Sequence, residues 1–220
     1  MTEKITIPTY TKGEEIFNMV SHIVGGALGI VATVLCTVFA AVHGNVYGVV
    51  SGAIYGATMI ILYTMSSVYH GLKPHLTAKK VMRVLDHCCI YLLIAGSYTP
   101  ISLCTLREVN PALGWTYFGL VWGLSAVGIL LKALAVEKFK WLGLTLNIVL
   151  GWCVVFVFGT IVKTLGIWAA GLLLAGGIAY TLGVAFYVTG RKKAYMHSVF
   201  HIFIVIGSLL QFLAILLYIM

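Results

Sequence analysis

Charge is what this chain has least of. Of its 220 residues only 9% are charged, and Asp and Glu together number 6. Ordinary soluble domains are about a quarter charged and about half apolar. Here 61% of residues are hydrophobic and the mean hydropathy is +1.04. That composition excludes a soluble globular enzyme, a disordered chain and a fibrous protein, and leaves a polytopic membrane protein. There is no C-x-x-C pair. Cys36, Cys88, Cys89, Cys104 and Cys153 all lie inside apolar runs, which argues for buried thiols and against a disulfide framework. No basic, aromatic-rich segment is present, so the net charge of +8 does not point to nucleic acid and is read as a topology signal. Neither a filter-like segment nor a ring of repeated charges is found, which argues against a channel. The chain shows no convincing internal repeat and no low-complexity tract. No cleavable signal peptide is expected, because the first apolar run is too long for an h-region and lacks a small-residue cleavage site.

Seven apolar runs are present, at about 18–42, 46–70, 84–105, 112–134, 141–163, 166–189 and 195–219. A helix needs roughly 20 apolar residues to cross a bilayer, so each run is long enough to span. The expectation is an all-α bundle: a polar tail over residues 1–15, then a seven-helix transmembrane domain over 16–220, with no room for a separate soluble domain. The fifth break is the weakest. Six spans with one long hairpin is the alternative, but Lys163 and Gly166 favour two helices. Of the 14 Lys and Arg, only Arg107 and Lys163 fall on one side of this bundle; the other twelve fall on the opposite side. The positive-inside rule then places the N-terminus in the cytoplasm and the C-terminus outside, in a multi-pass protein of the cell membrane. Gly48, Gly52 and Gly56 repeat every four residues and predict a close helix–helix seam. Pro100 lies well inside the third run after Ser97-Tyr98-Thr99; a kink is expected there, with a nearby hydroxyl satisfying the freed carbonyl.

Ionisable side chains inside a span are costly and point to function by default. Here they cluster. Ser66 and His70 end the second run, Asp86 and His87 begin the third, and His197 and His201 begin the seventh. The alternating topology puts all of them in one membrane layer. His197 and His201 are one helical turn apart, so both imidazoles project from one face. H-x-x-x-H alone is a weak signal; a third His at the same depth and a nearby carboxylate strengthen it. Three imidazoles suit zinc and leave a fourth position open. Asp86 either fills that position and closes a structural site, or acts on a water held there as a base. Ser66 is either a supporting donor near an oxyanion or a back-bond to its own helix. Glu15, Asn18 and His22, at i, i+3, i+7, either support the site or form an interfacial cap facing water. His87 points elsewhere and is left out of the metal. His43 and His75 are read as solvated loop residues, and Asn147 and Gln211 as interhelical hydrogen-bonders.

These residues carry a resemblance. Glu15-x-x-Asn18-x-x-Ser21-His22, Ser66-Ser67-Val68-Tyr69-His70, Leu85-Asp86-His87 with Ile90-Tyr91-Leu92-Leu93-Ile94-Ala95-Gly96-Ser97-Tyr98-Thr99-Pro100, and His197-Ser198-Val199-Phe200-His201 together resemble the hemolysin III branch of the progestin and adipoQ receptor family. The resemblance covers essentially the whole chain. It implies seven helices with an inside N-terminus and an intramembrane zinc near the cytoplasmic face. It implies His70, His197 and His201 as ligands, Asp86 in contact with the water on the metal, and Ser66 close by. The wider superfamily includes alkaline ceramidases, and bacterial members are linked to membrane lipid homeostasis. The leading functional expectation is a zinc-dependent hydrolase acting on an amide or ester of a membrane lipid. A receptor or sensor with structural zinc comes second, and a cytolysin or channel third.

Overall fold

A computed structural model of the chain describes residues 5–189 and 193–220. Lys4, Arg191 and Lys192, which enter the charge balance above, lie outside the described residues. Among the described residues, seven helices are long and apolar enough to cross a membrane: α1 Lys12–Val42, α2 Val46–Gly71, α3 Thr77–Val109, α4 Pro111–Ala135, α5 Lys140–Leu165, α6 Ile167–Thr189 and α7 Met196–Tyr218. Among the described residues there is no strand. The weak fifth break is a true break: Gly166, at φ +88°, ends α5, and only a residue tolerant of that region does so cheaply.

Two helices start earlier than hydropathy alone suggests. Thr11 caps α1: its hydroxyl accepts the Glu14 N–H, and the Glu14 carboxylate in turn accepts the Thr11 N–H at 2.9 Å. This reciprocal cap starts the helix at Lys12, inside the segment read as a tail. α3 likewise begins with two turns bearing Lys79, Lys80 and Arg83 before its apolar run.

The helices form a ring in which α1 packs on α2 and α7, and α6 on α7. α3 packs against α2, α4 and α5 and is the hub. Of its most apolar stretch 78% is buried, against 22–50% for the other six helices. The outward faces of the ring carry Ile23, Val24, Ile30, Val34 and Val38, all exposed. Such a face would drive aggregation in water and is the right one against lipid.

The glycine seam forms as its spacing predicts. A Cβ on Gly48 would lie 2.8 Å from the Ala40 Cβ, one on Gly52 2.8 Å from the Cys36 Cβ, and one on Gly56 2.0 Å from the Thr33 hydroxyl. α1 and α2 approach this closely because no side chain stands between them.

Pro100 has a different consequence from a simple kink. The chain after it, Ile101–Leu106, winds as a π-helix, a rare form found mostly as bulges within α-helices and often at functional sites. The nearby hydroxyls bond other carbonyls: Ser97 donates to Ile94 at 2.9 Å and Thr99 to Ala95 at 2.8 Å. Helix α5 is also irregular. Cys153–Val157 is a 3-10 stretch, and the Tyr98 hydroxyl accepts the Val154 N–H at 2.7 Å while donating to the Gly151 carbonyl at 3.0 Å. Non-helical backbone at this depth needs such internal partners.

Two outcomes test this architecture. Gly56→Leu should force α1 from α2 and lower stability by about 2 kcal/mol, the scale of an overpacked contact. Gly119→Ala, with nothing within 4 Å of its added Cβ, should leave the melting temperature in detergent nearly unchanged. For orientation, a reporter fused after Met220 should read as external and one near Lys193 as cytoplasmic. A cytoplasmic C-terminal reporter would contradict the positive-inside assignment.

Candidate metal centre

The start of α1, the end of α2 and the starts of α3 and α7 all lie at the N-terminal face of the bundle. α7 brings in His197 and His201, whose Nε2 atoms stand 3.1 Å apart. The end of α2 brings in His70. One ligand atom from each of these three residues lies within 4.8 Å of the others. Among the described residues this is the one group of His, Cys, Asp and Glu arranged to hold a metal ion. All three imidazoles are buried.

The orientation of His70 is set by Glu15. His70 Nδ1 lies 2.6 Å from Glu15 Oε2, while Lys79 Nζ donates to Glu15 Oε1 at 2.5 Å and to the Leu72 carbonyl at 2.9 Å. An Nδ1–H donated to a carboxylate leaves the Nε2 lone pair outward as a ligand. That Nε2 is buried and has no hydrogen-bond partner among the described residues. Glu15 therefore supports the site and is not a water-facing cap. The same holds for its stripe. His22 stacks on His201 with ring centroids 3.7 Å apart, and Asn18 is fully buried. Neither the Asn18 amide nor the His22 ring nitrogens have a partner among the described residues.

α3 contributes Asp86, which is half-buried, with its Oδ2 3.8 Å from His87 Nδ1. His87 Nδ1 is 2.7 Å from the Arg83 carbonyl, to which it donates. Asp86 is not part of the three-His cluster but faces the same cavity, as does the buried Ser66. His87 lines that cavity outside the cluster, and His43 and His75 are exposed in loops. Gln211 bridges helices as expected, donating to the Leu173 carbonyl at 3.0 Å. Asn147 does not: its carboxamide oxygen is buried beside the cavity without a partner among the described residues.

The cavity has a volume of about 190 Å³ and is mostly apolar. Its lining runs along α3 from Arg83 to Ile101, a rise of roughly 27 Å along the helix. His197 and His201 line it together with Asp86, and Leu93, Ile94, Leu173 and Ile204 line its length.

Several residues that sequence reasoning missed complete the site. Tyr10, ahead of α1, stacks on His197 at 5.0 Å between centroids and, with Pro8, lines the cavity. Burial pushes its phenol pKa well up, and nearby carboxylates and phenols push it further, so it stays neutral. Glu14 accepts the Tyr195 N–H at 2.7 Å. Arg83 pairs with Glu137 in the α4–α5 connection. Burial alone would raise the Glu137 carboxyl, but the hydrogen bond and charge of Arg83 outweigh it and hold the group below its ordinary value. Tyr10 carries no sequence signal, since it lies in an aperiodic segment and matters only through where that segment folds.

The chain is similar to several known proteins. The chain is 36% identical over 220 residues to "Hemolysin-3" of Bacillus cereus, covering 100% of this chain and 98% of that protein. It is 35% identical over 209 residues to the "Hemolysin-3 homolog" of Bacillus subtilis (strain 168), covering 95% and 96%. It is 28% identical over 158 residues to "Monocyte to macrophage differentiation factor" of Homo sapiens, covering 70% of this chain and 64% of that protein. The family described as "Haemolysin-III related" matches residues 10–212. With that match over nearly the whole helical bundle, the chain belongs to the haemolysin-III related family of multi-pass membrane proteins.

Proposed function

We propose that this protein is a zinc-dependent hydrolase that cleaves an amide or ester of a membrane lipid and so acts in membrane lipid homeostasis. One observation carries the reading: His197 and His201 of the three-His cluster line a long, mostly apolar cavity that Asp86 and Ser66 also line. The donor set fits zinc. It offers three imidazoles, one with an orphaned and buried Nε2. Two donors on a tetrahedral zinc stand about 3.3 Å apart, near the 3.1 Å between the His197 and His201 nitrogens.

His70, His197 and His201 hold the ion. Zinc supplies Lewis acidity at that position, acidifying water and polarising a carbonyl. Glu15 keeps the His70 ring in its ligating tautomer. Asp86, outside the ligand set, takes a proton from the attacking water and returns it to the leaving amine or alcohol. Ser66 directs its hydroxyl to the carbonyl oxygen as charge grows there. The apolar lining holds the acyl chain, and Tyr10 and Pro8 keep bulk water from the reacting end.

Purified protein should carry about one zinc per chain, as a single three-His site requires. His197→Ala and His201→Ala should each lose most of it, and Glu15→Gln should weaken binding about 10- to 100-fold, the effect of losing a ligand's orienting partner. His43→Ala and His75→Ala should keep full zinc by elemental analysis. Full retention in both α7 variants would refute the ligand assignment.

Asp86→Asn separates catalysis from structure. It should keep zinc and melting temperature yet lose lipid hydrolysis by roughly 100-fold or more, the scale of a missing general base. Loss of zinc together with stability, and no turnover by the parent on any amide or ester lipid tried, would instead support a sensor with structural zinc.

A further inference from the structure

Arg83 and Lys132 line the N-terminal end of the cavity, whose lining carries a single carboxylate, Asp86. Lys132, in the last turn of α4, is only 4% exposed. Among the described residues no carboxylate lies within 4 Å of it. Its ammonium donates to the Phe139 and Lys140 carbonyls at 3.3 and 3.5 Å, both at or beyond the long end of the normal range. A buried cation with so little compensation is costly in a lipid-embedded bundle. The protein nevertheless makes room for it. A Cβ on Gly143 would fall 2.4 Å from Lys132 Cε and 2.7 Å from Nζ, so the bare glycine is what lets the ammonium lie against α5. Tyr91 fixes that approach by donating to the Gly143 carbonyl at 2.9 Å.

Arg83 is nearly as buried, at 6% exposure. Glu137 engages one of its terminal nitrogens, and a guanidinium has five donors in all. Arg83, Asp86 and Ile90 recur at i, i+3, i+7 on α3 and all line the cavity. Deeper in, the lining turns apolar through Leu93, Ile94 and Ile101. The polarity thus runs from a cationic end to an apolar length, as a molecule with an anionic head and one hydrocarbon chain would require.

We propose that Lys132 and Arg83 form an anion-binding subsite at the N-terminal end of the cavity, which receives the carboxylate or phosphate head of a single-chain amphiphile. The proposal rests on the reading above that the cavity takes a lipid chain. It narrows the ligand to acidic amphiphiles, and it makes Lys132 a specificity-determining residue.

The test is equilibrium binding to the full chain in neutral detergent, using palmitate, hexadecyl phosphate, hexadecanol and inorganic phosphate at a pH where both acids are ionised. Wild type should bind one or both anionic amphiphiles about 10-fold or more tighter than hexadecanol, the scale of one charge-assisted hydrogen bond. Whichever anion binds tighter identifies the head as carboxylate or phosphate. Lys132→Met should remove most of that preference and leave hexadecanol binding unchanged, while Lys132→Arg should keep it. Gly143→Ala displaces the ammonium without removing its charge. It should reduce the preference too, and it keeps the test decisive if Lys132→Met fails to fold. The preference should persist in His197→Ala; its loss there would assign the anion to the metal and overturn the subsite. Inorganic phosphate competing as well as hexadecyl phosphate would overturn the amphiphile. Equal binding of hexadecanol and both anions, or a preference surviving in folded Lys132→Met, would overturn the subsite while leaving the lipid cavity intact. Failure of every chain-bearing probe, hexadecanol included, would overturn the cavity reading itself.

Discussion

The Glu15 carboxylate joins three helices at the depth of the three-His cluster. From α1 it takes His70 of α2 on one oxygen and Lys79 of α3 on the other. Lys79 is fully buried, and a buried charge is tolerable only while its partner stays in place. Removing Glu15 would therefore strand a cation as well as free an imidazole. Its neighbour Glu14 accepts the Tyr195 N–H instead. Tyr195 is the residue just before α7 and sits at φ +61°, a conformation a tyrosine holds only when something fixes it. Two consecutive acids thus set the end of α2 and the start of α7, the two places from which the three imidazoles come.

The opposite constraint governs the cavity. A bundle of seven apolar helices packs solid unless something holds a space open. Two irregular stretches lie beside this one: the π-helix after Pro100 and the 3-10 stretch in α5. Tyr98 satisfies the α5 backbone at Gly151 and Val154, and all three residues line the cavity. Irregular backbone at membrane depth is tolerated where it is buried in protein or lines a cavity. Tight packing elsewhere complements it: the glycine seam closes α1 on α2 and leaves the open volume around α3.

Much of this was legible in the chain alone, because polar residues in apolar runs are conspicuous. His70, His197 and His201 stood out for that reason, and their shared depth followed from counting spans. The supporting side chains were far less legible. Lys79, Arg83 and Lys132 satisfy the positive-inside rule by composition, and nothing in a sequence separates a lysine at the lipid surface from one folded over a glycine into a cavity. Glu15 was ambiguous for the same reason, since a helix entrance faces either water or a neighbour. The early start of α1 was readable in principle from Thr11 and Glu14, a capping pair that hydropathy overlooks. Pro100 announced an irregularity, but whether it kinks, bulges or winds into a π-turn depends on what packs beside it.

The position of Asp86 bears on whether such a centre works or merely holds the fold. A structural zinc site gains from a fourth protein ligand, because a closed shell contributes folding energy and excludes reaction. Asp86 is the carboxylate that lines the cavity, and it lies outside the three-His cluster. Glu15, which also reaches a histidine, is spent on the far nitrogen of that ring. The two acids therefore differ by geometry: one holds the His70 ring from behind, and the other is left facing the cavity. A closed structural site would draw that carboxylate into its shell; Asp86 instead stays outside the cluster beside an apolar passage, which is what supports the hydrolase proposed above over a purely structural zinc.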